Sequence, residues 1–292
     1  MSRWIDKHFK WVMTIPIILF ILLMIAYPLL YTLDLSFHSS SMSAVTAPKW
    51  VGLKNYTKLF NSSKFYSACE ITLLYTAITV FFQTLIGLAI AVFINRKFRM
   101  TSLARTIFLL PVVATPVSVA YVWKMMYDPV LGIFNEIVKA FGNNPIAFVG
   151  DAATALYSVA VIEIWEYFPV VMLICLGGLS NISADIYEAA EIDGASRWQM
   201  FGKITMPLLS PTLLSAITLR LIDAMKAFDV IYTITQGGPS SSTTTLNVLI
   251  YKQAFENFRF GEASATVLVF FAILVAVVVL FNMLRKKVVV DY

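Results

Sequence analysis

Glu188-Ala189-Ala190-Glu191-Ile192-Asp193-Gly194-Ala195-Ser196-Arg197-Trp198-Gln199-Met200-Phe201-Gly202-Lys203-Ile204-Thr205-Met206-Pro207 is a polar, helix-prone island between two long apolar segments. Its residues read as helix, glycine break, second helix, and a proline where the chain returns to apolar sequence. Asn181 and Ser183 offer N-cap oxygens, and Asp185 adds negative charge near the helix start. Ala189 and Ala190 are strong helix formers. Gly194 permits a sharp turn that a side chain would hinder. Trp198, Phe201 and, more loosely, Ile204 mark an apolar face on the second helix. On these residues alone the stretch is a short amphipathic linker at a membrane surface.

The surroundings are those of a membrane protein. Apolar residues make up 59 % of the 292 and charged residues 13 %, with a mean hydropathy of +0.78. Soluble domains run nearer half apolar and a quarter charged, so the excess argues for many spans. The net charge of +5 is no nucleic-acid signal, because the cations sit mainly beside apolar runs. Cys69 and Cys175 are far apart and read as small buried hydrophobes. His8 and His38 share no metal-ligand spacing with an acidic residue.

Six spans are expected, at about 11–33, 71–94, 107–127, 153–179, 208–234 and 263–284. The first follows a short basic start (Arg3, Lys7, Lys10) and carries Pro16 and Pro28. It is longer than a signal-peptide core and reads as uncleaved. The second is nearly free of charge, with Gln83 inside it. The third is interrupted near its start by Pro111 and Pro116. Lys124 lies near its far end, where snorkelling to the interface or a buried acidic partner are the two readings. Residues 128–152 form a loop with one short helix. The fourth span carries Glu163, Glu166 and Pro169. The fifth is the least apolar, and Gln236-Gly237-Gly238-Pro239 ends it. The sixth is charge-free, and about 33 Å of helix is enough to cross.

Six spans put both termini on one side, and the positive-inside rule chooses it. The N-terminal segment 1–10, the loop after the second span, the stretch 180–207 and the tail 285–292 together carry twelve Lys and Arg. The opposite loops carry seven over much longer segments. Both termini and the 188–207 stretch are therefore expected in the cytoplasm.

The spacing within that stretch adds a resemblance. Glu188-Ala189-Ala190, three residues, Gly194, nine residues, Ile204, Thr205, an apolar residue and Pro207 is similar to the "EAA loop" of binding-protein-dependent ABC importer permeases of the carbohydrate-uptake branch, the maltose permease family among them. Met206 stands where that family usually has Leu, a swap that keeps volume and apolarity. Trp50-Val51-Gly52-Leu53-Lys54-Asn55-Tyr56 also resembles a short segment common in sugar permeases. The resemblance implies an all-α integral membrane fold: a six-span bundle with a cytoplasmic helix pair between spans four and five. It implies ATPase-coupling roles for Glu188, Ala189, Ala190, Asp193 and Gly194. It further implies a second, different permease subunit, two cytoplasmic ATPase subunits that bind ATP and Mg, and an extracytoplasmic substrate-binding protein, all at a bacterial inner membrane.

The residues agree with the absence of chemistry in this chain. There is no G-x-x-x-x-G-K-[ST], no H-E-x-x-H and no G-x-S-x-G. No catalytic residue, cofactor or metal ligand is expected, so ATP hydrolysis would belong to a partner. An ion-coupled secondary transporter is the alternative, with Glu163 or Asp223 as the coupling carboxylate, but its half-to-half repeat is missing.

Charges inside the spans form the second region of interest. Arg220, Asp223, Lys226 and Asp229 recur every three residues with alternating sign, so neighbours touch along a slowly winding stripe. Facing lipid they would cost several kcal/mol. They either form an internal ion-pair ladder or line a watery path. Glu163 and Glu166 are three apart. In the resembled family the segment Trp165-Glu166-Tyr167-Phe168-Pro169 faces the substrate cavity, which makes Glu166 and Tyr167 the preferred substrate contacts, with Glu163, Arg220, Asp223 and Lys226 beside them. The maltose-type permeases have neutral amides in the fifth span where this chain has charges or Ala, so the particular sugar stays open.

Overall fold

A computed structural model describes residues 2–39, 49–95 and 101–286. Arg96, Lys97, Arg99 and the C-terminal residues after Lys286 lie outside the described residues. The elements run α1 (Ser2–Ser36), β1 (His38–Ser39), β2 (Lys49–Trp50), α2 (Lys54–Phe60), α3 (Ser63–Ile94), α4 (Thr101–Val113), α5 (Pro116–Met126), α6 (Ile133–Ala140), α7 (Ala155–Ser180), α8 (Ala184–Ile192), α9 (Arg197–Met200), a π turn (Phe201–Thr205), α10 (Met206–Met225), α11 (Asp229–Thr235), α12 (Leu246–Tyr251), a second π turn (Lys252–Glu256) and α13 (Phe260–Lys286). Among the described residues, five helical stretches are long and apolar enough to cross a membrane, and six if the α4–α5 pair counts as one. The fold is all-α apart from the two-residue strands.

The chain divides into two compact units. The first comprises the residues up to Phe65 with Leu249–Ala272. Its α1 is apolar on every side, and none of its most apolar window is buried within the chain. A helix apolar all round belongs in lipid or against partner helices. The Trp50–Tyr56 segment is tied to the C-terminal end of α1. Gly52 takes a φ of +57°, which suits glycine. Asn55 donates to the carbonyls of Ser36 (2.7 Å) and His38 (3.0 Å), and Tyr56 meets the Ser36 hydroxyl at 2.8 Å. Gly261 passes so close that a Cβ there would lie 2.1 Å from the His38 carbonyl oxygen. Lys58 and Arg259 both reach Glu262 on the surface of this unit.

The second unit holds Tyr66–Val248 and Ile273–Tyr292. One core cluster joins α3, α5, α7 and α11 through Tyr75, Ala120, Val159, Ile162 and Ile231. A second joins α3, α7 and α10 through Ala91, Val171, Met172, Leu209 and Ala216. Cys175 is buried in that cluster, whereas Cys69 is only half-buried. Small residues set the closest approaches. At Gly87 a Cβ would lie 2.8 Å from the Phe168 carbonyl, and at Gly178 one would lie 2.7 Å from Leu209. Lipid gives helices no hydrophobic reason to associate, so close packing at small residues carries the association.

Two expected spans are revised. The third, 107–127, is not one helix: α4 and α5 meet at 94°. Pro111 stays inside α4, and the break falls at Ala114–Thr115. Thr115 is extended (φ −72°, ψ 133°), as the residue before a proline prefers. Pro116 then opens α5 at the position where its missing N–H costs nothing. The fifth span, 208–234, is also broken. It begins earlier, as α9 and α10 run on through the π turn, and it stops at Met225 before α11 restarts at Asp229. The π turn lies directly before Pro207. A helical proline ring crowds the carbonyl four residues back, here Lys203, and a wider turn makes room for it.

Candidate functional site

Two places in the second unit carry the residues singled out above. The first is the loop after α7. Ser183 is the N-cap of α8, with its hydroxyl accepting from the Asp185 N–H at 3.4 Å. Asn181, the other expected cap, instead closes α7. At the far end of α8, the Ala195 N–H reaches the Ala190 carbonyl (2.9 Å) and the Gly194 N–H reaches Glu191 (3.0 Å). That pair of bonds is a Schellman cap, which needs a left-handed residue between them. Gly194 supplies it at φ +75°. No atom lies within 4 Å of where its Cβ would be, so backbone angle, not space, demands glycine there.

Ser196 and Gln199 then close a reciprocal capping box at the start of α9, with bonds of 2.7 and 3.3 Å. It satisfies two of the orphan donors at the helix start. Glu188, Ala189, Asp193 and Gly194 are exposed, and Ala190 is half-buried. No residue of α8 is buried. The expected apolar face Trp198–Phe201–Ile204 does not pack inward as a unit. Trp198 is 84 % exposed and Ile192 86 %. Two large apolar side chains in water on one polar loop are unlike the rest of such a surface.

The second place lies between α3, α7 and α10. Arg220 on α10 is 2 % exposed. Its Nη2 donates to Glu163 Oε1 on α7 at 3.0 Å, and its Nε donates to Gln83 Oε1 on α3 at 3.0 Å. Gln83 turns its amide NH2 to the Glu163 backbone carbonyl at 2.9 Å. The guanidinium lies 4.4 Å over the Tyr167 ring. A planar five-donor group is suited to this set of partners. Asp223 stands 3.5 Å from Arg220 on one side and 3.5 Å from Lys226 on the other. A cavity of about 370 Å³ opens beside them, lined by Glu163, Tyr167, Arg220, Asp223, Lys226 and Asp229 among others.

Several expectations change at this place. The four-charge ladder does not continue along one helix, because Lys226 ends α10 and Asp229 begins α11. Arg220 finds its principal partner in Glu163, 57 residues away, with Asp223 only at 3.5 Å. Glu166, a preferred substrate contact, is 1 % exposed and does not line the cavity. Its Oε2 has no hydrogen-bond partner among the described residues. Glu163 has both as neighbours on α7, with Tyr167 about 40° to one side and Glu166 about 60° to the other, and the cavity lies on the Tyr167 side. Lys124 is exposed, as a snorkelling side chain is. Sequence reasoning misses Gln83 as a ligand of the arginine. Its signal is a single amide inside an otherwise apolar run. Among the described residues no group of His, Cys, Asp and Glu is arranged to hold a metal ion.

Residues 83–289 match the family model of the binding-protein-dependent transport system inner membrane component. The chain is 32 % identical over 257 residues to the trehalose/maltose transport system permease protein MalF of Thermococcus litoralis, covering 88 % of this chain and 85 % of that one. It is 31 % identical over 293 residues to the sulfoquinovosyl glycerol transport system permease protein SmoG of Agrobacterium fabrum, covering 98 % and 94 %. Its fold matches a chain of a bacterial alginate ABC transporter solved in complex with its alginate pentasaccharide-bound periplasmic protein. That match has a TM-score of 0.85 at 22 % identity and covers 99 % of this chain and 98 % of the other.

Proposed function

The chain belongs to the family of binding-protein-dependent transport system inner membrane components, and on that footing we propose that it is the permease subunit of an ATP-driven importer for a carbohydrate or polyol. It is a multi-pass inner-membrane permease, and the ATPase is a separate subunit. Its relatives' names, trehalose/maltose and sulfoquinovosyl glycerol, support a sugar-like solute. In this reading the chain pairs with a second permease, two cytoplasmic ATPase subunits carrying ATP and Mg, and an external binding protein that does most of the substrate selection. Both termini lie in the cytoplasm. ATP closes the ATPase pair, the 188–207 loop moves with it, and the permease pair opens outward to take solute. Hydrolysis resets it inward.

One observation carries the reading: the Glu188–Pro207 pattern folds as a helix, a left-handed glycine and a second helix, with Ile192 and Trp198 bare. Glu188, Ala189, Ala190, Asp193 and Gly194 would form the surface that meets the ATPase. Glu163, Tyr167, Arg220, Asp223 and Lys226 would border the solute path, with Tyr167 offering a ring to sugar C–H faces and Asp223 and Lys226 offering polar groups to hydroxyls. Gly194→Pro tests the reading, since proline fixes φ near −65°. The assembled complex is expected to lose uptake and binding-protein-stimulated ATPase together. Normal values of both would reduce the loop to a linker and remove the main support for the importer.

A further inference from the structure

The loop helix α8 buries none of its residues, and beneath it lies a cleft of about 390 Å³ lined by Val92, Leu179, Tyr187, Glu191, Arg197 and Phe201, among others. Across that cleft stands one hydroxyl pair. Tyr187 Oη on α8 lies 3.0 Å from Thr205 Oγ1 at the end of the π turn. Thr205 is 6 % exposed, and its hydroxyl reaches the Met200 carbonyl at 3.4 Å. The backbone N–H of Met206 bonds back to Phe201, five residues earlier. That step of five shifts the ladder, and the Thr205 side chain takes up the Met200 carbonyl. Either hydroxyl of the pair can donate to the other. Single π turns inside longer helices are frequent at functional sites. This one joins the loop to a continuous helical stretch from Arg197 to Met225, which carries Arg220 and Asp223.

We propose that Tyr187 and Thr205 form the clasp by which displacement of α8 is delivered to α10, and so from the loop to the charged cavity. Both are positioning residues: neither touches solute or nucleotide. The inference rests on the coupling reading of the loop. The covalent route from α8 to α10 is the turn at Asp193–Ser196 and the helix that follows it, and the clasp adds a direct side-chain tie between the two ends of that route.

The test uses the full complex in lipid nanodiscs, with Cys69 and Cys175 replaced by alanine. One spin label is placed on α8 (Ala184→Cys) and another on α10 (Leu219→Cys), in separate preparations. Each is measured by pulsed EPR against a label at Leu131→Cys, with and without ATP and vanadate. In the otherwise unaltered chain both distances are expected to shift with nucleotide. In Tyr187→Phe and in Thr205→Val the α8 shift stays, while the shifted population at α10 falls about fivefold, the worth of one neutral hydrogen bond. Thr205→Ser, which keeps the hydroxyl, restores the α10 shift. An unchanged α10 response in Tyr187→Phe overturns the clasp. So does loss of both shifts together with no rescue by Thr205→Ser, because the pair would then only hold the fold. If nucleotide moves neither label in the unaltered chain, the coupling reading fails, and the clasp with it.

Discussion

The polar network around Arg220 and the loop around Gly194 are opposite solutions to the same problem. The network is sunk among spans, and its arginine is answered: Arg220 has Glu163, Gln83 and Tyr167 within contact distance. The loop has the Schellman cap and the capping box at its backbone, yet leaves Ile192 and Trp198 almost wholly bare. A region that satisfies its own groups holds a shape. A region that orders its backbone and exposes its apolar side chains presents a shape to something else. Under the proposed function, the contrast separates what keeps the bundle in register from what a partner would push.

The largest effect that sharpens this contrast comes from breaking the network on one side. Arg220→Met leaves Glu163 buried and uncompensated, and about 3–5 kcal/mol of stability should go with it. Thermal aggregation of the detergent-solubilised protein would report the loss. The double change Arg220→Met with Glu163→Leu should recover part of it: an apolar pair replaces a buried ion pair at little cost, while buried Gln83 Oε1 still loses its Arg220 donor. Recovery with transport intact would show that the network is chiefly structural, whereas recovery with transport lost would place the charges in the solute path.

A smaller effect belongs to the packing beneath it. Gly87→Ala puts a methyl group against the Phe168 carbonyl and Val171, forcing α3 and α7 apart at about 1–3 kcal/mol. The same thermal measurement checks it, and an unchanged melting profile would mean the two helices slide freely. On the loop, Gly194→Ala must hold a side chain at φ +75°, a strain of roughly 1–2 kcal/mol. That change should leave assembly intact and lower uptake in transport assays, with Gly194→Asn milder than Gly194→Ala. An equal loss from both would point to space and not backbone angle as the constraint.

The smallest effect is electrostatic and lies outside the spans. The backbone N–H groups of Leu131 and Val130 hold the Asp128 carboxyl below its ordinary pKa. Its contribution to the α5–α6 turn is therefore present above the ordinary carboxylate value of about 3.9 and is lost as pH falls through the lowered one. Asp128→Asn should flatten that part of the acid-stability profile and do little at neutral pH.

Sequence patterns reach far in one of the two regions and less far in the other. In the loop, Ser183 and Gly194 are legible because each acts within a few residues of itself; the Ser196–Gln199 box is equally local but is masked by the apolar reading of Trp198 and Phe201, and Asn181 closes α7 instead of capping α8. The spans are legible as apolar runs, including the prolines that break the third. Which proline bends it depends on neighbours, since Pro111 is absorbed into α4 and Pro116 is not. The break at Lys226–Phe228 has no glycine or proline to announce it. The Arg220 network is least legible, because its partners come from three helices and the sequence offers only the spacing along one. Asp223 is three residues from Arg220, yet Glu163 wins by lying directly across the helix interface at 3.0 Å. A lone Gln83 in an apolar run marks a place where a buried polar partner is needed.

The measurement that bears most directly on the account is photo-crosslinking from the loop. A benzophenone-bearing residue replaces Trp198 in the assembled complex, with a second preparation carrying it at Ile192. The account predicts that both capture the ATPase subunit, and that nucleotide changes the yield at one or both. Crosslinks confined to lipid or to this chain, from a complex that still hydrolyses ATP in response to its binding protein, would contradict it.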